Sequence, residues 1–202
     1  ERLKTEELAM PYEYLQQTFS IGQIPTTGIL LARFDFEGVI IGSQSGTGTT
    51  WEIRHNIETP TEGAACLDIK TKTATPATND QASIQLPIPI KNSQFLTIDI
   101  FLRSPNIGTR DTYRFEILWD NGTDEKDFGI QYVGATSVFQ YLNNSNVYTT
   151  FLTLTGGLAV DQWHWFQFTY NISSNIYRRF RAQVQNIDMT TNSGYTTPSS
   201  GT

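Results

Sequence analysis

From Leu30 onward, apolar and polar side chains alternate with a period of two, the pattern of strands that bury one face and wet the other. In 95–103, Leu96, Ile98, Ile100 and Leu102 fall on one side, and Thr97, Asp99 and Phe101 on the other. In 113–119, Tyr113, Phe115, Ile117 and Trp119 form an apolar face opposite Arg114 and Glu116. Phe128, Ile130 and Tyr132 oppose Gln131 in the same way. His164, Phe166, Phe168 and Tyr170 are expected inward, with Trp163, Trp165, Gln167 and Thr169 outward. A closing strand over 177–187 is expected to turn Phe180, Ala182 and Val184 inward and Arg179, Arg181, Gln183 and Gln185 outward.

The pattern predicts strands over 30–36, 50–55, 64–72, 82–86, 95–103, 112–119, 127–133, 138–142, 147–154, 163–170 and 177–187. Turn-forming residues separate them, among them Asn79-Asp80, Asn121-Gly122, Gly156-Gly157 and 143–146. Many short strands at this spacing predict an all-β, two-sheet antiparallel sandwich. Residues 1–28 read differently. Thr5 caps acidic first-turn residues and Pro11 can open a second turn, so one or two helical turns are expected there. Leu8, Met10, Tyr14, Leu15 and Phe19 need a partner, either the body or a second copy of the chain, and make 1–28 a short N-terminal arm through which a homo-oligomer could form. The sandwich is expected over 29–189. The Ser/Thr/Gly/Pro-rich residues 190–202 are expected to be a flexible tail.

Composition narrows the function. The 202 residues suit one domain with a core of its own. Charged residues are 17% and aromatics 12%, which argues against a disordered chain. A net charge of -6 argues against a surface that coats nucleic acid. No apolar run reaches the length of a membrane-spanning helix. One cysteine and two histidines exclude a disulfide framework or a Cys/His zinc site within one chain. The first residue is Glu1, which reads as a processed N-terminus or a fragment.

The strand order then resembles the concanavalin A-like lectin/glucanase jelly roll, including its laminin-G-like members. The residues that carry the likeness are Phe34-Asp35-Phe36-Glu37-Gly38, Thr50-Trp51-Glu52-Ile53, the strand from Leu96 to Arg103, Phe128-Gly129-Ile130-Gln131-Tyr132, and Asp161-Gln162-Trp163-His164-Trp165-Phe166 before the closing strand. The resemblance implies a jelly roll with one curved sheet. Its polar face would be a groove lined by Asp99, Arg114, Glu116, Gln131, Trp163, Trp165, Gln167 and Arg181. Glycosidases of this superfamily carry E-x-D-x-x-E or E-x-D-x-E on one strand, and neither pattern is present. Glu116 and Asp120 share a face but lie about 13 Å apart along a strand. That exceeds the roughly 5–9.5 Å that glycoside hydrolysis uses. Asp99 could meet Glu116 only if their strands were neighbours.

Other chemistry is thinner. Asp120, Asp124 and Asp127 flank an Asn-Gly turn and supply the densest oxygen cluster, a candidate calcium site against the simpler reading of a hydrated hairpin. No other cofactor is implied. Arg178, Arg179 and Arg181 are the only basic cluster, expected to pair with Glu116 and Asp99 in a cross-strand ladder. No G-x-S-x-G elbow or P-loop lysine occurs. Asn121, Asn143 and Asn171 begin N-x-[ST] triplets, a frequent coincidence in a chain rich in Asn and Thr. The expected function is therefore non-catalytic recognition of a glycan or protein partner at an extracellular or virion surface. Carbohydrate binding leads, with a structural assembly subunit and a glycoside hydrolase as alternatives.

Overall fold

A computed structural model of the protein describes residues 43–47, 51–56, 66–71, 82–85, 95–104, 107, 112–182 and 185–198. The expected arm over 1–28, the strand over 30–36, Gln183, Val184 and 199–202 lie outside the described residues. The strands are β1 (Ser43–Gly46), β2 (Trp51–Asn56), β3 (Cys66–Thr71), β4 (Ala82–Gln85), β5 (Phe95–Leu102), β6 (Thr112–Asp120) and β7 (Asp124–Val133). They continue as β8 (Val138–Leu142), β9 (Tyr148–Thr153), β10 (His164–Asn171), β11 (Ile176–Ala182), β12 (Gln185–Asp188) and β13 (Tyr195–Pro198). Among the described residues the only helical segment is the 3-10 turn Gly134–Thr136. None is therefore long and apolar enough to cross a membrane.

The protein is an all-β sandwich of stacked antiparallel sheets. Sheet I has the order β12-β11-β10-β5. Sheet II is the meander β6-β7-β8-β9, with β13 laid against the first half of β7 and β8 against the second. β1 with β4, and β2 with β3, form two-stranded ribbons. The chain changes sheet between β5 and β6, between β9 and β10, and between β12 and β13.

The alternation read from the sequence fills the space between the sheets. Phe128, Ile130, Tyr132 and Phe139 of sheet II meet Phe166, Phe168, Tyr170 and Phe180 of sheet I, and all are buried. The rings touch across the gap. Phe128 stacks on Tyr170 at 3.7 Å between centroids, and Phe139 meets Phe166 edge-on at 5.1 Å and Phe180 at 4.8 Å. Each such aromatic pair adds about 0.5–1.5 kcal/mol beyond the area it buries.

Tyr177 supplies a polar tie through this oily layer. At Phe128 and Gly129, β7 passes from the strand paired with β13 to the strand paired with β8, and neither neighbour covers it. The fully buried Tyr177 hydroxyl of sheet I fills the gap. It accepts the Gly129 N–H at 2.7 Å and faces the carbonyls of Gly129 at 3.0 Å and Leu142 at 3.1 Å.

Two expectations need correction. The segment read as one strand over 177–187 is a hairpin, with Ala182 opposite Gln185 and Arg179 opposite Asp188. Residues 190–198, read as a flexible tail, are tied down. Met189 is fully buried, Tyr177 N–H donates to Asn192 O at 2.9 Å, Gly194 N–H donates to Asn175 O at 3.0 Å, and β13 pairs with β7. Backbone pairing needs no apolar stripe, so a polar segment docks without the signal that alternation provides. A Cβ at Gly194 would lie 2.5 Å from the Tyr170 hydroxyl, so any larger residue at this crossing would displace the end of that buried ring.

Tyr177→Phe is expected to leave the Gly129 N–H buried without an acceptor and to cost about 1–3 kcal/mol, with the fold retained. Urea denaturation followed by near-ultraviolet circular dichroism measures it.

Candidate functional site

The residues expected to line one groove are divided between the two outer faces of the sandwich. Asp99, Trp165, Gln167 and Arg181 lie on sheet I, and Arg114, Glu116 and Gln131 on sheet II. Trp163 precedes β10 and is half-buried. The cause is the crossing between β5 and β6. These strands are neighbours in sequence but belong to opposite layers, so Asp99 and Glu116 cannot meet, and neither can Arg181 and Glu116. The expected cross-strand ladder of arginines with these two carboxylates is not formed.

On sheet I the register builds rungs across all four strands. One runs Asp99, Gln167, Arg181, Asn186. The next holds Phe101 opposite Trp165, and the one before it Thr97, Thr169, Arg179 and Asp188. Asp99 Oδ1 accepts the Trp165 indole N–H at 2.9 Å and the Gln167 amide at 3.0 Å. The indole is thereby held by its edge on a wet face, beside Phe101, which is 54% exposed.

Sheet II carries a different surface, closed on itself. Arg114 Nε donates to Gln131 Oε1 at 3.1 Å, Gln131 Nε2 to Gln140 Oε1 at 2.5 Å, and Gln140 Nε2 to Thr150 Oγ1 at 3.1 Å. These residues stand directly opposite one another on β6, β7, β8 and β9. Beside this row, Tyr148 donates to Glu116 Oε1 at 2.7 Å, and the Arg114 guanidinium lies 4.7 Å from the Tyr148 ring centroid. Glu116 stands opposite Gly129, where a Cβ would meet its Cγ at 2.8 Å. Burial and the Glu116 carboxylate hold the Tyr148 phenol far above its ordinary value. Asp127 lies on the same face and is pushed up to about 6, first by burial and then by Glu116 and Glu125, with Arg114 opposing.

The calcium expectation is also corrected. Asp120 and Asp124 are strand ends, and only Asn121, Gly122 and Thr123 form the turn between them. Asp120 Oδ1 accepts the Gly122 N–H at 2.7 Å, while Asn121 Oδ1 accepts the N–H groups of Thr123 and Asp124. Gly122 takes φ +85, which its lack of a side chain permits. Asp127 is three residues into β7, opposite Leu118. Among the described residues no three His, Cys, Asp or Glu side chains are grouped to hold a metal ion. The N-x-[ST] triplets are turn chemistry as well. Asn143 Oδ1 accepts the Ser145 and Val147 N–H groups, and Asn171, which accepts the Ser174 N–H, is 7% exposed.

Sequence reasoning missed one feature of sheet I. The pairing of β10 with β11 shifts between Thr169 and Tyr170, so Arg178 is an extra residue in β11. Arg178 and Arg179 are consequently both exposed. The signal lies in Tyr177 and Phe180, two large apolar residues three apart, which strict alternation cannot bury together and a bulge can. No family model, characterised protein or solved structure matches the chain.

The raised Asp127 carboxyl has a defined effect on stability. The folded state holds this proton more tightly than the unfolded chain, so stability from this group is full below about pH 4 and is lost as pH rises through about 6. Asp127→Asn is expected to remove that fall and, after solvent screening, to stabilise the protein at pH 7.5 by about 1 kcal/mol. Urea midpoints from pH 4 to 8 for both proteins measure it.

Proposed function

We propose that the protein is a non-catalytic, lectin-like β-sandwich that binds carbohydrate on the outer face of sheet I. The observation that carries this reading is the half-buried Trp165, held by Asp99 of the adjoining polar rung and standing opposite the exposed Phe101. A pyranose ring has an apolar C–H face and a rim of hydroxyls. The first stacks on an aromatic ring, and the second needs fixed donors and acceptors around it. Asp99 Oδ2, Gln167, Arg181 and Asn186 offer these in one row. The two hydrogen bonds to Asp99 orient the row before a ligand arrives, which lowers the ordering cost of binding. Such a module works at an extracellular or virion surface, where glycans are met.

Two considerations favour binding over hydrolysis. On sheet I, Asp99 and Asp188 stand at opposite edge strands, three strand spacings or about 14 Å apart, which is beyond the separations that glycoside hydrolysis uses. On sheet II, Glu116 and Asp127 share a face, but Glu116 Oε1 is held by Tyr148 and is 3.7 Å from Arg114 Nη1. The alternative of an assembly subunit draws on the apolar arm over 1–28, which lies outside the described residues, together with the low charge of the chain and its lack of a catalytic motif.

A glycan array probed with the protein is expected to give a defined set of hits. Trp165→Ala is expected to weaken them by about tenfold or more, roughly 1.4 kcal/mol, at an unchanged melting temperature. A blank array, or a Trp165→Ala protein that binds as well as the parent, would reject the reading.

A further inference from the structure

One end of the sheet I face differs from the rest. The bulge in β11 turns two consecutive arginines to the same side, where strict alternation would have hidden one. Together with Phe95, Asn186, Asp188 and Thr190 they line a cavity of about 400 Å³. The depression is half open to solvent. Asn186 also ends the rung that contains Asp99, Gln167 and Arg181, so one lining residue lies on the same row as the groups beside Trp165. Phe95, 47% exposed, supplies an apolar wall, and the Arg178 guanidinium lies 5.9 Å from its ring centroid.

The charge of this cavity is unlike that of the protein. The chain carries a net -6, yet here two guanidinium groups face one carboxylate. Among the described residues neither Arg178 nor Arg179 is within ion-pair distance of an acidic group, although Arg179 stands opposite Asp188 in the register. Asp188 spends Oδ1 on the Thr190 N–H at 2.9 Å. The Thr190 side chain also bonds to Asp188, whose carboxyl is held below its ordinary value by the Thr190 bonds and then by the two arginines; the cavity is left with one net positive charge, two planar donor forks and the Asn186 amide. Guanidinium forks match carboxylate oxygens two at a time. One net charge suits a monoanion better than a doubly charged phosphate.

We infer that this cavity is a subsite for a carboxylated sugar, a uronate or sialate type of residue, whose carboxylate meets Arg178 and Arg179 while its ring lies against Phe95. The inference rests on the carbohydrate-binding reading and extends it by naming the class of glycan. The carboxylate displaces water from the two guanidinium groups, and the ring hydroxyls meet the Asn186 amide. Asp188 works against the anion and sets an upper limit on its affinity.

The test follows the arginine Nε–Hε resonances of the intact protein during titration with glucuronic acid, with glucose in parallel. The acid is expected to shift Arg178 and Arg179, and glucose is expected to leave both unmoved. Arg178→Gln and Arg179→Gln should each weaken the response at least fivefold at an unchanged melting temperature, and Asp188→Asn should strengthen it about threefold. Absent shifts, equal shifts with glucose, or equal shifts with sodium sulfate at the same concentration would overturn the subsite. Failure of the platform is separable from this. Neutral glycans that bind through Trp165 while the arginines stay silent refute the subsite alone. An arginine response with a blank array supports the subsite and refutes the platform.

Discussion

A strand that changes partners halfway along must leave some of its backbone uncovered, and in this sandwich the gap falls at the centre of β7. The N–H and C=O of Gly129 point away from β6 into the space between β13 and β8, where water is excluded. Unpaired, they would cost more than any single apolar contact nearby returns. One phenolic hydroxyl, from Tyr177 in the other sheet, accepts the N–H and has its one proton between the Gly129 and Leu142 carbonyls. The layers are thus joined by directional bonds as well as by oil, and the position of β11 relative to β7 is fixed along both sheets. The bulge at Arg178 follows from the same need. It lets Tyr177 and Phe180 both face inward, and its other product is the paired arginines on the outside.

The two outer faces differ in how far their polar groups are committed. On sheet II, Arg114, Gln131, Gln140 and Thr150 satisfy one another in sequence, with Tyr148 and Glu116 alongside, so a ligand there would have to break existing bonds. On sheet I the bonds to Asp99 hold Trp165 and Gln167 in place, and among the described residues Arg179 and Arg181 are not part of a comparable chain of side-chain bonds.

Much of this was legible in the alternation. The inward faces of β5, β6 and β10 were read residue by residue, because burial of one face forces period two. Which sheet each strand joins was not legible. A crossing such as that between β5 and β6 leaves the alternation on both sides unchanged, and so Asp99 and Glu116 were assigned to one groove. The hairpin of β11 with β12 was hidden for a similar reason, since a tight reversal between two strands need not interrupt the pattern. β13 was missed because what docks it is its backbone. The paired outward arginines needed a count of the spacing between Tyr177 and Phe180, a cue that regular alternation gives no reason to seek.

The attachment of β13 to β7 also orders events during synthesis. β7 emerges from the ribosome about seventy residues before the strand that completes its first half, a separation that delays contact formation. Until then its leading edge is open to any passing extended segment. Lys126, whose ammonium reaches the Ile172 carbonyl, and the acidic residues on either side of it give that waiting edge the charge that discourages a stray strand from taking the place.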